Sequence, residues 1–312
     1  FMKKDIWTIE QIGNLDGKVF IVTGANSGIG FEATKVFASK GALVIMGCRN
    51  QVKAQEAKNE ILKEFPEAKL VLMQLDLTDF ASIESFSNLV MKQYATIDVL
   101  LNNAGIMTVP YGSTKDNLEM QIGVNHFGHF YLTMKLLPLI DRTKDSRIVS
   151  IASIAHKFGN LNPNTFYYDE HRKYRTARAY AQSKLANLLF TYSLQSHLEE
   201  IGSNVKVLAA HPGISRTNLG EHVKTLSFKP IRAFLNLFNQ SQQEGSLPGI
   251  RACTDSAVQS GQYYGPSGFY EMKGNPILRK STKRSHSLLL QNILWEESVK
   301  ITNQNITLKK LV

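Results

Sequence analysis

Short apolar runs alternate with helical patterns through most of the 312-residue chain, and this alternation restricts the fold more than any other feature. Strands that alternate with helices in this way form a parallel sheet covered by helices on both faces. The predicted strands are 19–22, 43–46, 70–75, 99–101, 147–151 and 205–210, and the predicted helices are 29–39, 51–65, 80–94, most of 117–137, one that contains Tyr180, and 243–256. The sequence therefore predicts an α/β fold with a doubly wound parallel sheet.

The size and charge of the chain indicate one globular domain without a nucleic-acid partner. A chain that is 43% hydrophobic, with no low-complexity tract or fixed-period repeat, can bury a large core, so we predict a single domain over 1–312. The net charge is +10, but the basic residues are scattered apart from Arg279, Lys280, Lys283 and Arg284, and no nucleic-acid motif accompanies them. A positive field would also favour an anionic cofactor.

Cysteine content and the absence of apolar segments predict the compartment. Cys48 and Cys253 make no disulfide framework, and Cys48 at a strand end is expected to be a small buried thiol, which fits a reducing compartment. The first residues lack the apolar run of a signal peptide, and no stretch approaches the ~20 apolar residues of a membrane span. We therefore predict a cytoplasmic protein.

A glycine-rich turn, Thr-Gly-Ala-Asn-Ser-Gly-Ile-Gly at 23–30, follows the first predicted strand and opens a helix. Glycines at 24, 28 and 30 permit a tight turn and a close approach of backbone N–H groups, while the helix N-terminus offers the positive end of its dipole. Most glycine-rich turns are ordinary loops. In the first strand-to-helix connection of an alternating pattern, this one predicts a site for the pyrophosphate of a dinucleotide.

Tyr180 and Lys184 lie one helical turn apart, so both side chains project from the same face of a helix. Tyrosine titrates near pH ~10 and a neighbouring ammonium favours the phenolate, so we expect the pKa of Tyr180 to be lowered. Such a phenol can exchange a proton with a substrate oxygen near neutral pH.

The same spacing occurs at Tyr111/Lys115 and Tyr131/Lys135, so context has to select the functional pair. Tyr111 lies between a proline and a glycine, which indicates a turn. Tyr131 lies in a helical run that ends near Pro138, with no partner hydroxyl just beyond a strand.

The pair at Tyr180 follows a strand that ends in serines, and this context favours it. The candidate partners are Ser150 and Ser153. Ser153 is preferred because Ser150 falls inside the strand rather than beyond its end.

Together these features resemble the short-chain dehydrogenase/reductase family, and more narrowly its retinol-dehydrogenase-like branch, over residues 15–276. Further motifs that carry the resemblance are Asn-Asn-Ala-Gly at 102–105, Gly-Val-Asn-His-Phe-Gly at 123–128, Ala-His at 155–156, Gln-Ser-Lys-Leu-Ala-Asn at 182–187, Pro-Gly at 212–213 and Tyr-Tyr-Gly-Pro-Ser-Gly at 263–268. The resemblance implies a Rossmann-type fold that binds NAD(P) and moves a hydride between nicotinamide and a carbonyl or alcohol carbon.

The resemblance also implies a catalytic tetrad of Asn125, Ser153, Tyr180 and Lys184. Tyr180 would exchange the proton, Ser153 would hydrogen-bond the same oxygen, and Lys184 would hold the nicotinamide ribose and stabilise the phenolate. Asn125 would position a water for proton relay. The implied cofactor-binding residues are Gly24, Asn26, Ser27, Gly28, Ile29, Gly30, Asp76, Leu77, Asn103, Ala104, Gly105, Tyr180, Lys184, Pro212, Gly213 and Thr217. In that set Asp76 belongs to the adenine side and Thr217 to the carboxamide end of the nicotinamide.

The end of the second predicted strand indicates the choice of cofactor. An NAD-preferring site places a carboxylate there to bind the adenosine ribose hydroxyls, whereas this chain has Cys48 followed by Arg49. A guanidinium can grip a 2′-phosphate bidentately, and Lys53 adds charge. We therefore predict that NADP(H) is preferred over NAD(H) and that Arg49 belongs to the cofactor site.

Beyond Thr217, apolar residues recur at helical spacing among basic ones, at Phe228, Ile231, Phe234, Leu235 and Phe238. We predict a substrate lid over 215–242 that closes on a lipophilic substrate; peripheral membrane contact through 228–238 and ordinary packing are the alternatives. Residues 277–312 are predicted to be a C-terminal extension.

The histidines do not predict a metal centre. His126 and His129 share a helix face, but no third ligand of a zinc site accompanies them and hydride chemistry needs no metal. His156 either lines the substrate pocket or is a buried structural histidine.

These observations favour an NADP(H)-dependent oxidoreductase that acts on a lipophilic aldehyde, ketone or alcohol as its small-molecule substrate. Two alternatives stay open: a catalytically silent cofactor-binding scaffold or redox sensor, against which the intact tetrad argues, and a related steroid or light-driven reductase. The sequence does not decide oligomeric state or reaction direction.

Overall fold

The computed structural model describes residues 6–213 and 240–303, and within these ranges eight strands form one sheet. The strands are β1 Val19–Thr23, β2 Leu43–Cys48, β3 Lys69–Gln74, β4 Val99–Asn102, β5 Arg147–Ile151, β6 Lys206–Ala210, β7 Tyr263–Pro266 and β8 Pro276–Arg279. Their spatial order is β3-β2-β1-β4-β5-β6-β7-β8, and every pairing is parallel except β7 with β8. The order reverses between β1 and β4, so the connections leaving these two strands diverge and open a crevice.

Helices cover both faces of the sheet. They are α1 Gly28–Ser39, α2 Gln51–Glu64, α3 Phe80–Gln93, α4 Met120–Ile122, α5 Gly128–Asp141, α6 Thr176–Glu200, α7 Gln242–Thr254 and α8 Leu288–Thr302. A π turn at Gly123–Phe127 joins α4 to α5, and short 3-10 turns occur at Ile9–Gln11, Ile154–Phe158, Pro163–Thr165, Phe269–Glu271 and Lys283–His286. This arrangement confirms the predicted doubly wound α/β fold.

The central strands are buried on both faces, so their side chains pack into two separate apolar layers, one on each face of the sheet. Phe20 and Val22 on β1 pack with α1 and α7, whereas Ile21 between them packs toward α3 and α5. Fully burying a side chain of this size contributes ~1.5–3 kcal/mol, which explains why these strands are almost entirely apolar.

The helical stretch predicted over most of 117–137 is confirmed, with ends that differ from the predicted bounds. Asn117 has a left-handed φ of 58° and Leu118 forms a bridge with Tyr167, so regular helix begins only at Met120. The Glu119 carboxylate caps it by accepting the N–H groups of residues 121 and 122. At the other end the helix continues through Pro138, where one backbone hydrogen bond is lost and apolar packing compensates.

The last part of the described chain contains three elements that the sequence pattern did not reveal: β7, β8 and α8. Trp295 of α8 lies 5.4 Å, ring centre to ring centre, from Phe130, and the Ser298 hydroxyl lies 2.8 Å from Nε2 of His126. Residues 277–303 are therefore part of the fold, packed on α5 and α6.

Several predictions concern residues outside the described part of the chain. These include Thr217, the 228–238 stretch, and the 215–242 lid apart from residues 240–242. Among the residues that are described, no helix has the length and hydropathy needed to cross a bilayer.

Candidate active site

The glycine-rich turn lies at the carboxyl end of β1, where backbone conformation requires glycine. Gly24 and Gly28 have left-handed φ values of 66° and 59°, and α1 begins at Gly28. A Cβ on Gly30 would overlap the carbonyl oxygen of Gly24 and the side chain of Asn103. The glycines therefore let α1 approach β1 closely and leave its N-terminal amides facing the crevice, as a pyrophosphate site requires.

Thr23 ties the connection after β4 to the end of β1. Its hydroxyl oxygen accepts the N–H groups of Asn103 and Ala104, both at 2.9 Å, and lies 2.9 Å from Nε2 of His129. The Asn103 side chain donates to the Thr23 carbonyl at 2.8 Å. These bonds explain the Asn-Asn-Ala-Gly motif, because they hold Gly105 at the wall of the crevice.

The two histidines considered for metal binding are occupied by hydrogen bonds. His129 Nδ1 donates to the Asn125 carbonyl at 3.2 Å, and His126 pairs with Ser298. Burial lowers the pKa of His126 to about 3 and that of His129 to about 4, so both rings are neutral. Over residues 6–213 and 240–303, no group of three potential ligands is placed to hold a metal.

Asn125 occupies the π turn between α4 and α5, a distortion that is frequent at functional sites. Its side chain is fully buried and makes three bonds: Oδ1 accepts from Ile106 N at 2.8 Å, and Nδ2 donates to Ile106 O at 3.0 Å and to Ser183 Oγ at 2.9 Å. Asn125 therefore connects the loop after β4 to α6, one residue before Lys184.

Lys184 extends from α6 beneath the crevice. Its Nζ donates to the Ile151 carbonyl at 3.0 Å, and burial lowers its pKa to about 8. A Cβ on Gly105 would lie 3.4 Å from Lys184 Nζ and 3.2 Å from Asn125 Oδ1, so these side chains converge at Gly105. Nζ also lies 5.8 Å from the centre of the Tyr180 ring.

The expected lowering of the Tyr180 pKa is wrong. Burial raises the pKa of Tyr180, and its hydrogen bond with Ser153 lowers it only in part. Burial destabilises the phenolate by more than the Ser153 hydrogen bond stabilises it.

Ser153 follows β5 and begins the Ile154–Phe158 turn, where its Oγ accepts the N–H of Ala155 at 3.2 Å. The rival Ser150 is buried inside β5 and pairs in register with Asn102 and Ala209. Ser153 lines the crevice and Ser150 does not.

One cavity of about 850 Å³ joins the glycine-rich turn to the reaction centre. The predicted site residues that line it are Gly24, Asn26, Ser27, Gly28, Ile29, Gly30, Arg49, Asn103, Ala104, Gly105, Ser153, Tyr180, Lys184, Pro212 and Gly213. Asn125 lies behind this wall, buried. Asp76 and Leu77 follow β3 away from the lining, and Asp76 Oδ1 accepts from the Thr78 N–H and hydroxyl at 3.0 and 2.8 Å.

The residues at the opposite end of the cavity were not predicted from the sequence. Its lining there includes Ile106, Met107, Thr108, Val109, Ala177 and Arg178. Residues 106–109 directly continue the Asn-Asn-Ala-Gly motif, and Ala177 precedes Tyr180 by three positions on one helix. They could have been found by continuing the Asn-Asn-Ala-Gly motif four residues toward the C-terminus and by following α6 back by three residues from Tyr180. Phe158 at this end is 80% exposed, whereas His156 is buried and structural, because Nδ1 donates to the Ser153 carbonyl at 2.7 Å.

Arg49 leaves the end of β2 with its side chain exposed and lining the cavity. Asn50 caps α2 by accepting the Lys53 N–H at 3.0 Å, so Arg49 immediately precedes the helix cap. No ion pair to Arg49 exists within the described ranges. Cys48 before it is 1% exposed, which confirms the predicted buried thiol.

Comparison with known proteins agrees with this geometry. Residues 18–226 match the family described as short chain dehydrogenase. Human retinol dehydrogenase 14 is 38% identical over 298 residues, covering 90% of this chain and 86% of the relative. Mouse retinol dehydrogenase 13 is 41% identical over 293 residues, covering 92% of this chain and 84% of the relative.

Solved structures share the fold. An uncharacterised protein from Mycobacterium paratuberculosis has a TM-score of 0.80 and 33% identity, covering 96% of this chain and 98% of its own. A short chain dehydrogenase from Shigella flexneri, complexed with NADP, has a TM-score of 0.63 and 22% identity, covering 81% of this chain and 98% of its own. At that identity the second likeness concerns the fold alone.

Proposed function

The chain belongs to the short-chain dehydrogenase family, and from this premise we propose an NADP(H)-dependent oxidoreductase that interconverts a carbonyl and an alcohol on a lipophilic substrate. The observation that carries the proposal is that one cavity is lined both by the glycine-rich turn at 24–30 and by Ser153, Tyr180 and Lys184. A cofactor bound at one end would place its reactive ring at the other.

The residues present fit a nicotinamide dinucleotide. The glycine-rich turn and the first residues of α1 line the cavity, and the α1 amides would bind the pyrophosphate. Residues 103–105 and Pro212 with Gly213 would form the walls around the nicotinamide. When bound, this group supplies or accepts the hydride.

The side chains at the reaction centre bind the substrate oxygen and transfer its proton. Tyr180 donates its phenolic proton to the substrate oxygen during reduction, and the neighbouring Ser153 hydroxyl polarises the same oxygen. Burial raises the pKa of Tyr180, so the phenol holds its proton until the substrate oxygen takes it. Lys184, held by the Ile151 carbonyl, would bind the ribose hydroxyls.

Support for NADP(H) comes from Arg49, an exposed guanidinium at the cavity with no acid at the end of β2. The relatives named retinol dehydrogenases support a lipophilic substrate, as do Met107, Val109 and Phe158 at the substrate end. Cytoplasmic location stays a prediction that rests on the free, buried cysteines.

The test is a titration of the protein with NADPH and with NADH, followed by turnover of a panel of aldehydes. We expect NADPH to bind about 10- to 100-fold more tightly, as charge-assisted hydrogen bonds to a 2′-phosphate contribute ~1.5–3 kcal/mol. Arg49→Ala should remove this preference while leaving NADH affinity unchanged, whereas Lys58→Ala, on the helix that follows Arg49, should leave both constants unchanged. Cofactor binding without turnover of any aldehyde would instead support the silent scaffold, and equal affinities would refute the NADP(H) preference.

A further inference from the structure

Glu271 lies in the Phe269–Glu271 turn between β7 and β8, and its carboxylate contacts both sides of the reaction centre. Oε1 accepts from Lys157 Nζ at 3.0 Å, and Oε2 lies 3.2 Å from His211 Nε2. Lys157 belongs to the turn that begins at Ser153, and His211 precedes the Pro212 and Gly213 wall. One side chain therefore links the serine turn to the wall that faces it.

The contact through His211 depends on which ring nitrogen carries the proton. The backbone N–H of Gly213 donates to His211 Nδ1 at 3.2 Å, so the ring proton resides on Nε2, the nitrogen that lies 3.2 Å from Glu271 Oε2. His211 is 0% exposed, and a Cβ on Gly213 would overlap the carbonyl of Met272. The turn that contains Glu271 thus fixes the conformation of Gly213 from two directions.

The contact through Lys157 supports the serine turn from the opposite side. His156, between Ser153 and Lys157, donates from Nδ1 to the Ser153 carbonyl at 2.7 Å. The Tyr263 ring packs between the two histidines, with centres 5.8 Å from His156 and 5.3 Å from His211. The serine turn and the Gly213 wall are therefore held through one continuous buried cluster.

The conformation of the turn is costly, which indicates that the neighbouring contacts enforce it. Tyr270 and Glu271 are consecutive non-glycine residues with left-handed φ values of 47° and 61°. Arg279 holds the base of the turn by donating to the Pro266 carbonyl at 2.9 Å. The nearby His211 and Lys157 side chains lower the pKa of Glu271 to about 2, so the carboxylate is charged at every working pH.

We propose that Glu271 is a positioning residue, which sets the distance between Ser153 and Gly213 across which the nicotinamide ring and the substrate carbonyl have to fit. This inference rests on the proposed function. Glu271 acts through Lys157 on the serine side, where the substrate oxygen binds, and through His211 on the Gly213 side, where the cofactor binds. Loss of the Lys157 contact should therefore affect turnover of the substrate, whereas loss of the His211 contact should affect cofactor binding.

The experiment compares four variants of the full chain: Glu271→Gln, Lys157→Met, His211→Asn and the control Glu84→Gln. Glu84 also pairs with a lysine, Lys135 at 2.7 Å, but neither residue lines the cavity. Asparagine at 211 keeps an acceptor for the Gly213 N–H and loses the contact with Glu271. The measurements are kcat and KM for a medium-chain aldehyde, the NADPH dissociation constant and the melting temperature.

For Glu271→Gln we expect kcat/KM to fall about 10- to 100-fold, since a misplacement of ~1 Å can cost about 10²-fold. Lys157→Met should lower kcat for the aldehyde with the NADPH constant within about twofold, whereas His211→Asn should weaken NADPH binding about tenfold. If Glu271 had a purely structural role, the variants would have lower melting temperatures, but Lys157→Met and His211→Asn would not affect kcat and NADPH binding separately.

The proposal is overturned if Glu271→Gln matches Glu84→Gln in kcat/KM, or if Lys157→Met and His211→Asn alter the same constant. If Glu271→Gln does not fold, the two single-contact variants decide the question alone. A wild-type protein that neither binds NADPH nor reduces any aldehyde overturns the proposed function and the positioning role with it, whereas an active wild type with no division between constants overturns the positioning role only.

Discussion

The cofactor end of the cavity is shaped by main-chain atoms, whereas the reaction end is shaped by buried side chains. At the cofactor end, Gly24 and Gly28 adopt left-handed conformations and the Thr23 hydroxyl receives two backbone N–H groups. At the reaction end, Lys184 and Tyr180 have pKa values displaced by burial. The first end therefore tolerates few changes of shape, and the second tolerates few changes of charge or polarity.

The largest effect that separates the two ends should come from Tyr180→Phe. The ring is retained and only the proton donor is lost, so turnover should fall ~10²–10⁴-fold while the NADPH dissociation constant stays within about threefold. The measurements are single-turnover rate and NADPH titration. Tyr131→Phe is the matched control, because Tyr131 has the same spacing to a lysine but its hydroxyl lies 3.4 Å from Glu84. More than about a tenth of wild-type kcat in Tyr180→Phe would mean that another group donates the proton.

The cost of burying charge at the reaction end should appear in the pH dependence of stability. Burial lowers the pKa of Lys184 from 10.5 to about 8, so between these values the unfolded chain binds more protons and folding becomes more favourable as pH rises. Below pH 8 Lys184 is charged in both the folded and the unfolded chain, so the full cost of burying the charge lowers the free energy of unfolding. The free energy of unfolding of wild type, relative to Lys184→Met, should rise by ~2 kcal/mol between pH 7 and pH 9.5 in urea titrations. A difference that does not change with pH would show that Lys184 is not desolvated in the fold.

The same contrast explains what the sequence could predict. Strands β1 to β6 were predictable because strands buried on both faces leave continuous apolar runs, and the glycine-rich turn was predictable because left-handed positions demand glycine. Strand β7, only four residues long and ending in Gly265 and Pro266, carries turn signals instead.

The pKa shift of Tyr180 and the contacts of Glu271 were not predictable from the sequence. The sign of the Tyr180 pKa shift was missed because spacing along a helix reveals a neighbouring charge but not the desolvation that outweighs it. Glu271 was missed because its partner Lys157 is 114 residues away in the chain. The catalytic roles assigned to individual residues stay predictions.

A change of shape at the cofactor end should act on binding and leave the chemistry unaffected. Gly30→Ala places a Cβ against the Gly24 carbonyl and the Asn103 side chain, and overpacking of this kind costs ~1–3 kcal/mol. NADPH affinity should fall about 5- to 100-fold, while kcat at saturating NADPH stays within about threefold. The control is Gly13→Ala, where a Cβ would meet nothing within 4 Å. A loss of kcat equal to that of binding would show that the two ends are not separate.

The smallest effect concerns the substrate end, where Met107, Val109 and Phe158 line the cavity. Each methylene of an aldehyde tail buried there should contribute ~0.8 kcal/mol, or about fourfold in kcat/KM per carbon, until the tail reaches solvent. The measurement is kcat/KM for straight-chain aldehydes of increasing length at saturating NADPH. Phe158 is 80% exposed, so Phe158→Ala should reduce the slope for the longest tails and leave short aldehydes unaffected. Since a tail that remains in water gains nothing from added carbons, a flat series would remove the lipophilic substrate from the proposal while leaving the Tyr180 chemistry in place.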